Sequence, residues 1–577
     1  MAITPEDLDP ARSRGTGLRR WVPIISWWER SDGLSRRSDV VAGLTVAAML
    51  VPQGMAYAAL AGMPPVTGLY ASIVPLVAYA VLGTSGQLAV GPVAIVSLLT
   101  ASTLAPLAAG DPGRYVVLAG LLAVMVGVIQ IVLGLLRAGR LTALLSHPVV
   151  SGFTSAAAIV IATSQIDKLL GVSIGSPDGW TGRIAALLAS ISGTHLPTLA
   201  VGAIAIALLL LGKRFGRRIP APLIVVVLAT AAVPLLGLGA VGVSVVGDIP
   251  RGLPGFQLTR PTMDVVLALL PGAVIISLLA YLEGLSIARA IAARTGDRID
   301  ADQELLATGA ANLTAGALQA FPVAGGFSRS AVNHAAGART PLAGVVAAGG
   351  VLLTLVVAAP MLSTLPEVVL AAVVLVAVIG LIDVRGAIRA WRIERTDGLA
   401  LAITFFATLL IGVEIGIGIG ILASLVLSHY RVGVPAIDVQ VDGNRVVVHM
   451  VGPLLPASGV RLLDTIEAVL AHHAAVGVGT LIVLDLSGVP SADGSGVDVL
   501  VRIDEMCSAA GLELRLTGAR PGVLAPLHRA EQAQRFRGRI DPATEVGFGH
   551  IWASTAQDAP GDPAAKAPSD DIPVPRG

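Results

Sequence analysis

The chain has 577 residues, of which 54% are hydrophobic and only 13% are Asp, Glu, Lys or Arg, against about 25% charged in an ordinary soluble domain. Its formal net charge is +1 and its mean hydropathy +0.80, so it has neither the basic surplus of a nucleic-acid binder nor the polarity of a soluble enzyme. A single cysteine, Cys507, excludes an intramolecular disulfide and a cysteine-rich zinc or iron–sulfur centre.

The segment Met1–Arg37 is polar and has no signal-peptide pattern; its Trp21, Trp27 and Trp28 suit a membrane surface as well as ordinary packing. From Val40 to Gly110 there is no charged residue. At about 20 apolar residues per crossing this run allows roughly three membrane passes. Pro52, Pro64, Pro65 and Pro92 punctuate it, some where a helix would have to break. Predicted spans follow at 40–62, 65–83, 90–105, 115–136, 141–165, 196–211 and 221–236. A break at 237–260 leads to a second set at 263–287, 305–320, 326–337, 340–359, 362–381, 398–413 and 415–428.

Threading this pattern from an inside N-terminus puts Arg137, Lys213 with Arg214, Arg289 with Arg294, Arg339, the Arg385–Arg395 cluster and Arg431 on the cytoplasmic side. The opposite loops carry only scattered charges, among them Asp111, Arg114, Asp178, Arg183 and Glu414. Seven spans on each side of the break make an inverted repeat. The third span of each set is irregular. Gln87–Val90 reads as a short extended piece before Gly91 and Pro92 open a helix, and Phe321–Ala324 precedes Gly325 and Gly326 before Phe327, Ser328 and Arg329 begin another. Both half-helices would start at membrane depth with their positive N-terminal ends facing each other, an arrangement that attracts an anion.

After Arg431 the texture changes. Strands are predicted at Ile437–Val441, Arg445–Val451, Thr480–Leu486 and Leu512–Leu516, and helices at Val460–Ala475, Gly496–Ala509 and Gly522–Gln534. The expectation is a polytopic α-helical membrane protein with a cytoplasmic α/β domain. Its parts are a cytoplasmic N-terminal segment (1–37), two seven-span repeats (38–237 and 262–431) joined by an extracytoplasmic linker (238–261), the α/β domain (432–554) and a disordered tail (555–577).

The motifs Asp39–Thr45, Val51–Tyr57 and Pro64–Tyr70 resemble the opening signature of the SulP anion transporters, also called solute carrier family 26. Pro148–Ser155, Gly325–Asn333 and Gly337–Thr340 resemble further family motifs, and the segment after Arg431 resembles the family's STAS domain. The resemblance implies fourteen spans as two inverted seven-span repeats, divided into an anion-binding core domain that moves against a gate domain. It also implies a homodimer in a bacterial-type cytoplasmic membrane, with both termini inside. Sulfate is the default substrate, bicarbonate and C4-dicarboxylates such as fumarate or succinate remain open, and an exchanger or channel of the same family is the alternative to a symporter.

Site residues follow from the residues and the resemblance together. Gln53 offers amide donors to an oxyanion and matches a substrate-contact position of the family; Tyr57 matches a pocket aromatic. Packing is the competing role for both. Gly91 permits close approach, and Val93 stands where several relatives have an aromatic, which leaves room for a larger anion. Phe327 and Ser328 open the second half-helix, while Arg329, the only Lys or Arg between Arg298 and Arg339, resembles the arginine behind the family's anion site. Glu283, with no other charge from Val265 to Leu282, is placed near the end of its span and is costly to bury ionised. It is therefore the candidate coupling group, with pairing to an arginine as the alternative. Ile287 stands where some sodium-coupled relatives have a hydroxyl, which favours protons over sodium. Ser495 aligns with a serine or threonine that some STAS proteins have phosphorylated; helix capping is its other role. No nucleophile–base constellation, P-loop or metal-ligand spacing supports an enzyme, and no cofactor is expected. The STAS domain offers a surface for a cytoplasmic partner.

Overall fold

The computed structural model describes residues 22–25, 27, 32–108, 110–139, 146–175, 179–214, 221–250, 252, 254–255, 261–432, 435–442, 444–476 and 481–542. Trp21, Trp28, residues 251, 253 and 256–260 of the linker and the whole predicted tail lie outside them. The chain divides into two compact units, Met1–Leu425 and Val426–Gly577.

In the first unit, α1 spans Gly33–Leu60, followed by α2 (Pro65–Tyr70), α3 (Val74–Leu82), the strand β1 (Val90–Gly91), α4 (Ala94–Ala108) and α5 (Pro112–Leu135). Then come α6 (His147–Ser164), α7 (Ile166–Leu170), α8 (Gly179–Ser190), α9 (Leu196–Arg214) and α10 (Ala221–Leu236). The second half holds α11 (Met263–Thr295), α12 (Ala301–Ala317), β2 (Ala324–Gly325), α13 (Phe327–Ala335), α14 (Leu342–Val357), α15 (Ala359–Leu362), α16 (Glu367–Val378), α17 (Val384–Ile393), α18 (Arg395–Leu410) and α19 (Val413–Val432). Among the described residues six helical stretches are long and apolar enough to cross a membrane, and shorter apolar helices such as Ala94–Ala108 and Ala221–Leu236 accompany them.

Three boundaries correct the reading of the sequence. Helix α1 starts at Gly33 because the Asp32 carboxylate accepts from Ser35 N–H at 2.8 Å, and it runs unbroken through Pro52. The break before the next helix falls at Pro64, between the first two predicted spans. Arg183, expected in a loop, lies on α8, which meets the following helix at 116°; Asp178 lies outside the described residues. Finally, α11 continues to Thr295, which puts Glu283 in the interior of a 33-residue helix rather than near its end.

Packing within the unit groups its helices. Helix α12 lies along α5 and α3, and α14 along α1; separately, α18 lies along α6, and α9 along α16. Close approach of small residues makes the α5–α12 pairing possible. Gly120, Gly127 and Gly134 recur every seven residues on α5; Gly120 meets Gly316 of α12, Gly127 meets Gly309 and Gly134 meets Leu306 and Asp302, so that a Cβ on Gly127 would stand 2.7 Å from the Gly309 carbonyl oxygen. Buried polar groups fix the same seam: Gln130 Nε2 donates to Ser277 O at 3.0 Å, and Asn312 Nδ2 donates to Gln130 Oε1 at 3.0 Å and to Val323 O at 3.1 Å.

The second unit is a five-stranded sheet in the order β3 (Ala436–Asp442), β4 (Arg445–Val451), β5 (Leu481–Gly488), β6 (Glu513–Ala519), β7 (Ile540–Pro542). The β3–β4 pair is antiparallel and the other pairs are parallel. Helices α20 (Pro456–Val476), α21 (Gly494–Ala509) and α22 (Pro521–Arg529) complete it. The sequence reading missed β7, a three-residue edge strand too short to carry a period, and ran the last helix past its end at Arg529.

Candidate functional site

Two short extended pieces cross at the centre of the first unit. Strands β1 and β2 pair antiparallel, Val90 opposite Gly325 and Gly91 opposite Ala324, so α4 and α13 leave the crossing in opposite directions. Further bonds lock the crossing: Gly326 N–H donates to Ala89 O at 3.0 Å, Ala89 N–H to Ser330 Oγ at 2.9 Å, and Asn333 Nδ2 to Gln87 O at 3.0 Å. Val323 N–H donates to Asn312 Oδ1 at 2.8 Å, which holds the approach to β2 against α12. Leu88 and Gly284 of α11 fill the space beside Gly325, where a Cβ would stand 2.8 Å from Gly284 Cα.

The half-helices expected from the sequence are both present. Helix α13 begins at Phe327 as predicted, whereas α4 begins at Ala94, just past Gly91 and Pro92, with Ser97 N–H donating to Val93 O at 3.0 Å. Gly326 caps α13 without a side-chain bond, so helix geometry leaves the first-turn N–H groups unspent beside the crossing.

Arg329 dominates the electrostatics. Its side chain is only 2% exposed; Nη1 donates to Pro92 O at 2.7 Å, and Nε and Nη2 are buried with no hydrogen-bond partner among the described residues. Gly91 and Gly326 flank the guanidinium: a Cβ on Gly91 would lie 3.4 Å from Nη2, and one on Gly326 2.6 Å from Cζ. The guanidinium is in electrostatic range of the Glu283 carboxyl and the Tyr57 hydroxyl. Helices α1, α4, α11 and α13 therefore converge on one charge.

The other sequence-predicted residues fall around it. Gln53 and Tyr57 are buried on α1, one turn apart and one turn beyond Leu50, whose Cδ2 lies beside Gly91. Neither side chain has a hydrogen-bond partner among the described residues, nor does that of half-buried Glu283. Val93 is buried at the mouth of α4. Phe327 and Ser328 are exposed, Phe327 by 64%, so the second half-helix opens outward from the buried guanidinium. Ser495 belongs to the second unit, exposed on the first turn of α21; Asp493, not Ser495, caps that helix, accepting from Gly496 N–H at 2.8 Å.

Two buried carboxylates escaped the sequence reading. Glu304 of α12 accepts from Tyr79 OH at 2.8 Å and from Thr84 N–H and Oγ1 at 2.7 Å each, tying α12 to the chain entering the crossing. Asp39 accepts from Arg339 N–H at 2.7 Å and Thr340 Oγ1 at 2.6 Å, closing α1 onto the turn after α13. The sequence signal was present in Asp39–Thr45 and Gly337–Thr340, both singled out as motifs without their pairing. Glu414, expected in a turn, lies in the first turn of α19 and accepts hydrogen bonds from Ser102 and Thr103 of α4.

A profile of the sulfate permease family matches residues 37–404, and one of the STAS domain matches residues 436–545. The chain is 33% identical to "Sulfate transporter 4.1, chloroplastic" of Arabidopsis thaliana over 93% of its own length and 83% of the relative's. It is 39% identical to a probable sulfate transporter of Mycobacterium tuberculosis (strain ATCC 25618 / H37Rv), over 71% of this chain and 72% of that one. Its fold superposes on murine solute carrier 26 family member A9, an anion transporter solved in the inward-facing state, with a TM-score of 0.84 at 22% identity, covering 93% of this chain and 96% of that one. The transmembrane domain of a cyanobacterium bicarbonate transporter, BicA, superposes with a TM-score of 0.59 at 23% identity over 68% and 98%.

Proposed function

The chain belongs to the sulfate permease family, and from that premise we propose that it carries sulfate across a membrane by proton-coupled secondary active transport. One observation carries the reading. Arg329 is a buried cation whose Nη1 is spent on Pro92 while Nε and Nη2 have no hydrogen-bond partner among the described residues. An orphaned buried donor is costly, and an oxyanion arriving beside the crossing relieves two at once. The Gln53 amide and the open first turn of α13 add neutral donors, and the Tyr57 hydroxyl another.

Glu283 makes the binding conditional. An ionised carboxylate in range of the same guanidinium competes with the anion for it; a proton on Glu283 removes that competition, so proton and anion travel together. The protein would expose this site to each side in turn, as a fourteen-span fold of two inverted repeats permits, with the termini and the STAS domain in the cytoplasm of a bacterial-type cell and two chains forming a dimer. Val93 at the mouth of α4 leaves room for a larger anion such as a C4-dicarboxylate, and bicarbonate is the other alternative cargo on family grounds.

The test is uptake of labelled sulfate, bicarbonate and fumarate into proteoliposomes of the purified protein, with and without an inward proton gradient. Sulfate accumulation driven by the gradient supports the proposal. Accumulation of another anion replaces the substrate and keeps the mechanism, whereas gradient-independent flux replaces the mechanism with exchange or passive conduction.

A further inference from the structure

Between α16 and α18 the chain leaves the apolar pattern of its neighbours and forms α17, Val384–Ile393, with the sequence VRGAIRAWRI. The Asp383 carboxylate starts it by accepting from Gly386 N–H at 2.8 Å. Val384, Ile388 and Trp391 stand at i, i+4 and i+7 and form one stripe, exposed by 61%, 49% and 53%. Arg385, Arg389 and Arg392 repeat the same spacing one residue on and form a second exposed stripe beside it. Gly386, Ala387 and Ala390 are the less exposed residues, on the side where α17 packs against α18 and α6. Trp391 is anchored at its base, since a Cβ on Gly398 would meet the indole Cδ2 at 3.0 Å, yet half of its surface stays open.

An exposed apolar stripe next to an exposed cationic stripe, neither covered by the described residues, suits one occupant that satisfies both at once, the boundary between acyl chains and negatively charged headgroups. Two facts place that boundary here. Helix α17 is joined through a short turn to α16 and directly to α18, both parts of the multi-pass membrane unit, and its charge complements an anionic lipid surface. We propose that α17 is an interfacial helix that seats Val384, Ile388 and Trp391 at the acyl boundary and recognises anionic phospholipid headgroups through Arg385, Arg389 and Arg392. Near a negative membrane surface each such residue strengthens association by about fivefold. Because α17 leads straight into α18, lipid held there steadies the helices on either side of it.

Trp391 reports directly. The full-length protein and its Trp391→Phe variant are reconstituted into phosphatidylcholine vesicles containing phosphatidylglycerol, with bromine on the acyl chains of one lipid or the other at equal mole fraction. The difference in fluorescence between the two proteins isolates Trp391. The expected result is quenching several-fold stronger from brominated phosphatidylglycerol, a preference that disappears when all three arginines become Gln and survives when they become Lys. Absence of quenching by either lipid would show the stripe covered by protein, and equal quenching by both would show insertion without headgroup recognition; each overturns the proposal. Neither readout depends on transport, so this inference and the transport reading fail separately.

Discussion

Arg329 Nη1 donates to the main-chain carbonyl of Pro92 at 2.7 Å, so a charge on the second half-helix holds the chain that enters the first. One-third of the guanidinium's nitrogens are thereby fixed in direction, and the remaining two are aimed without further ordering on binding. Preorganised donors of this kind hold an oxyanion more tightly than flexible ones, because the conformational cost has been met in folding.

Replacing Arg329 with Gln should weaken anion binding by about 10- to 100-fold, the range of about 1.5–3 kcal/mol given by hydrogen bonds to a charged group. Arg329→Lys keeps the charge and loses the planar fork, and should still bind weakly. Equilibrium binding of labelled sulfate to detergent-solubilised protein reads both; near-native affinity in either variant would place the anion elsewhere.

Glu283→Gln is a permanent mimic of the protonated side chain. The variant should bind and exchange sulfate with little loss, yet no longer concentrate it when an inward proton gradient is applied. Counterflow and net uptake measured on the same proteoliposomes separate the two properties. Gradient-driven accumulation in the variant would remove Glu283 from the coupling.

Gly127→Ala should loosen the α5–α12 seam without touching the site, since the added Cβ would stand 2.7 Å from Gly309 O and 2.8 Å from Leu313 N. Both are backbone atoms that cannot swing away, so the helices must separate. Overpacking of this type costs about 1–3 kcal/mol. The midpoint of thermal unfolding in detergent should fall, while sulfate affinity measured well below that midpoint stays close to the parent's. An unchanged midpoint would mean that the seam adapts.

What the sequence disclosed and what it hid follow from the range of the interactions. The half-helices were legible because Gly91 with Pro92 and Gly325 with Gly326 are local breaks, and local chemistry decides where a helix starts. The strand pairing of Val90 with Gly325 joins residues more than two hundred positions apart, and no period announces it. Helix α8 was missed because charges at 178 and 183 outweighed a short amphipathic pattern. Arg329 was identifiable as a lone charge in an apolar stretch, but its bond to Pro92 was not. Glu304 and Asp39 show the same division: a buried carboxylate is recognised by its donors, and these come from distant segments.

The second unit contains its own reporter, the single cysteine. Cys507 is buried on α21, and burial pushes its thiol up to about 11, so it should resist thiol reagents at neutral pH until the domain opens. Asp504, one turn earlier, accepts from Arg539 Nη1 at 2.6 Å and Arg535 Nε at 2.8 Å. Its burial alone would raise the carboxyl, but these two guanidinium groups prevail and hold it below the usual value of 3.8. A carboxyl depressed in the folded state adds stability above its unfolded value and loses it as pH falls through the folded one. Labelling of Cys507 in the full chain by a pyridyl disulfide, which reacts in acid, should therefore be slow at pH 7 and accelerate below about pH 4. Asp504→Asn removes the charge that both arginines share, at a cost of about 1.5–3 kcal/mol, so its labelling at pH 7 should be about 10- to 100-fold faster. The variant should also lose part of the acid dependence. Equal labelling of the two proteins at pH 7 would mean that Asp504 does not hold the domain closed.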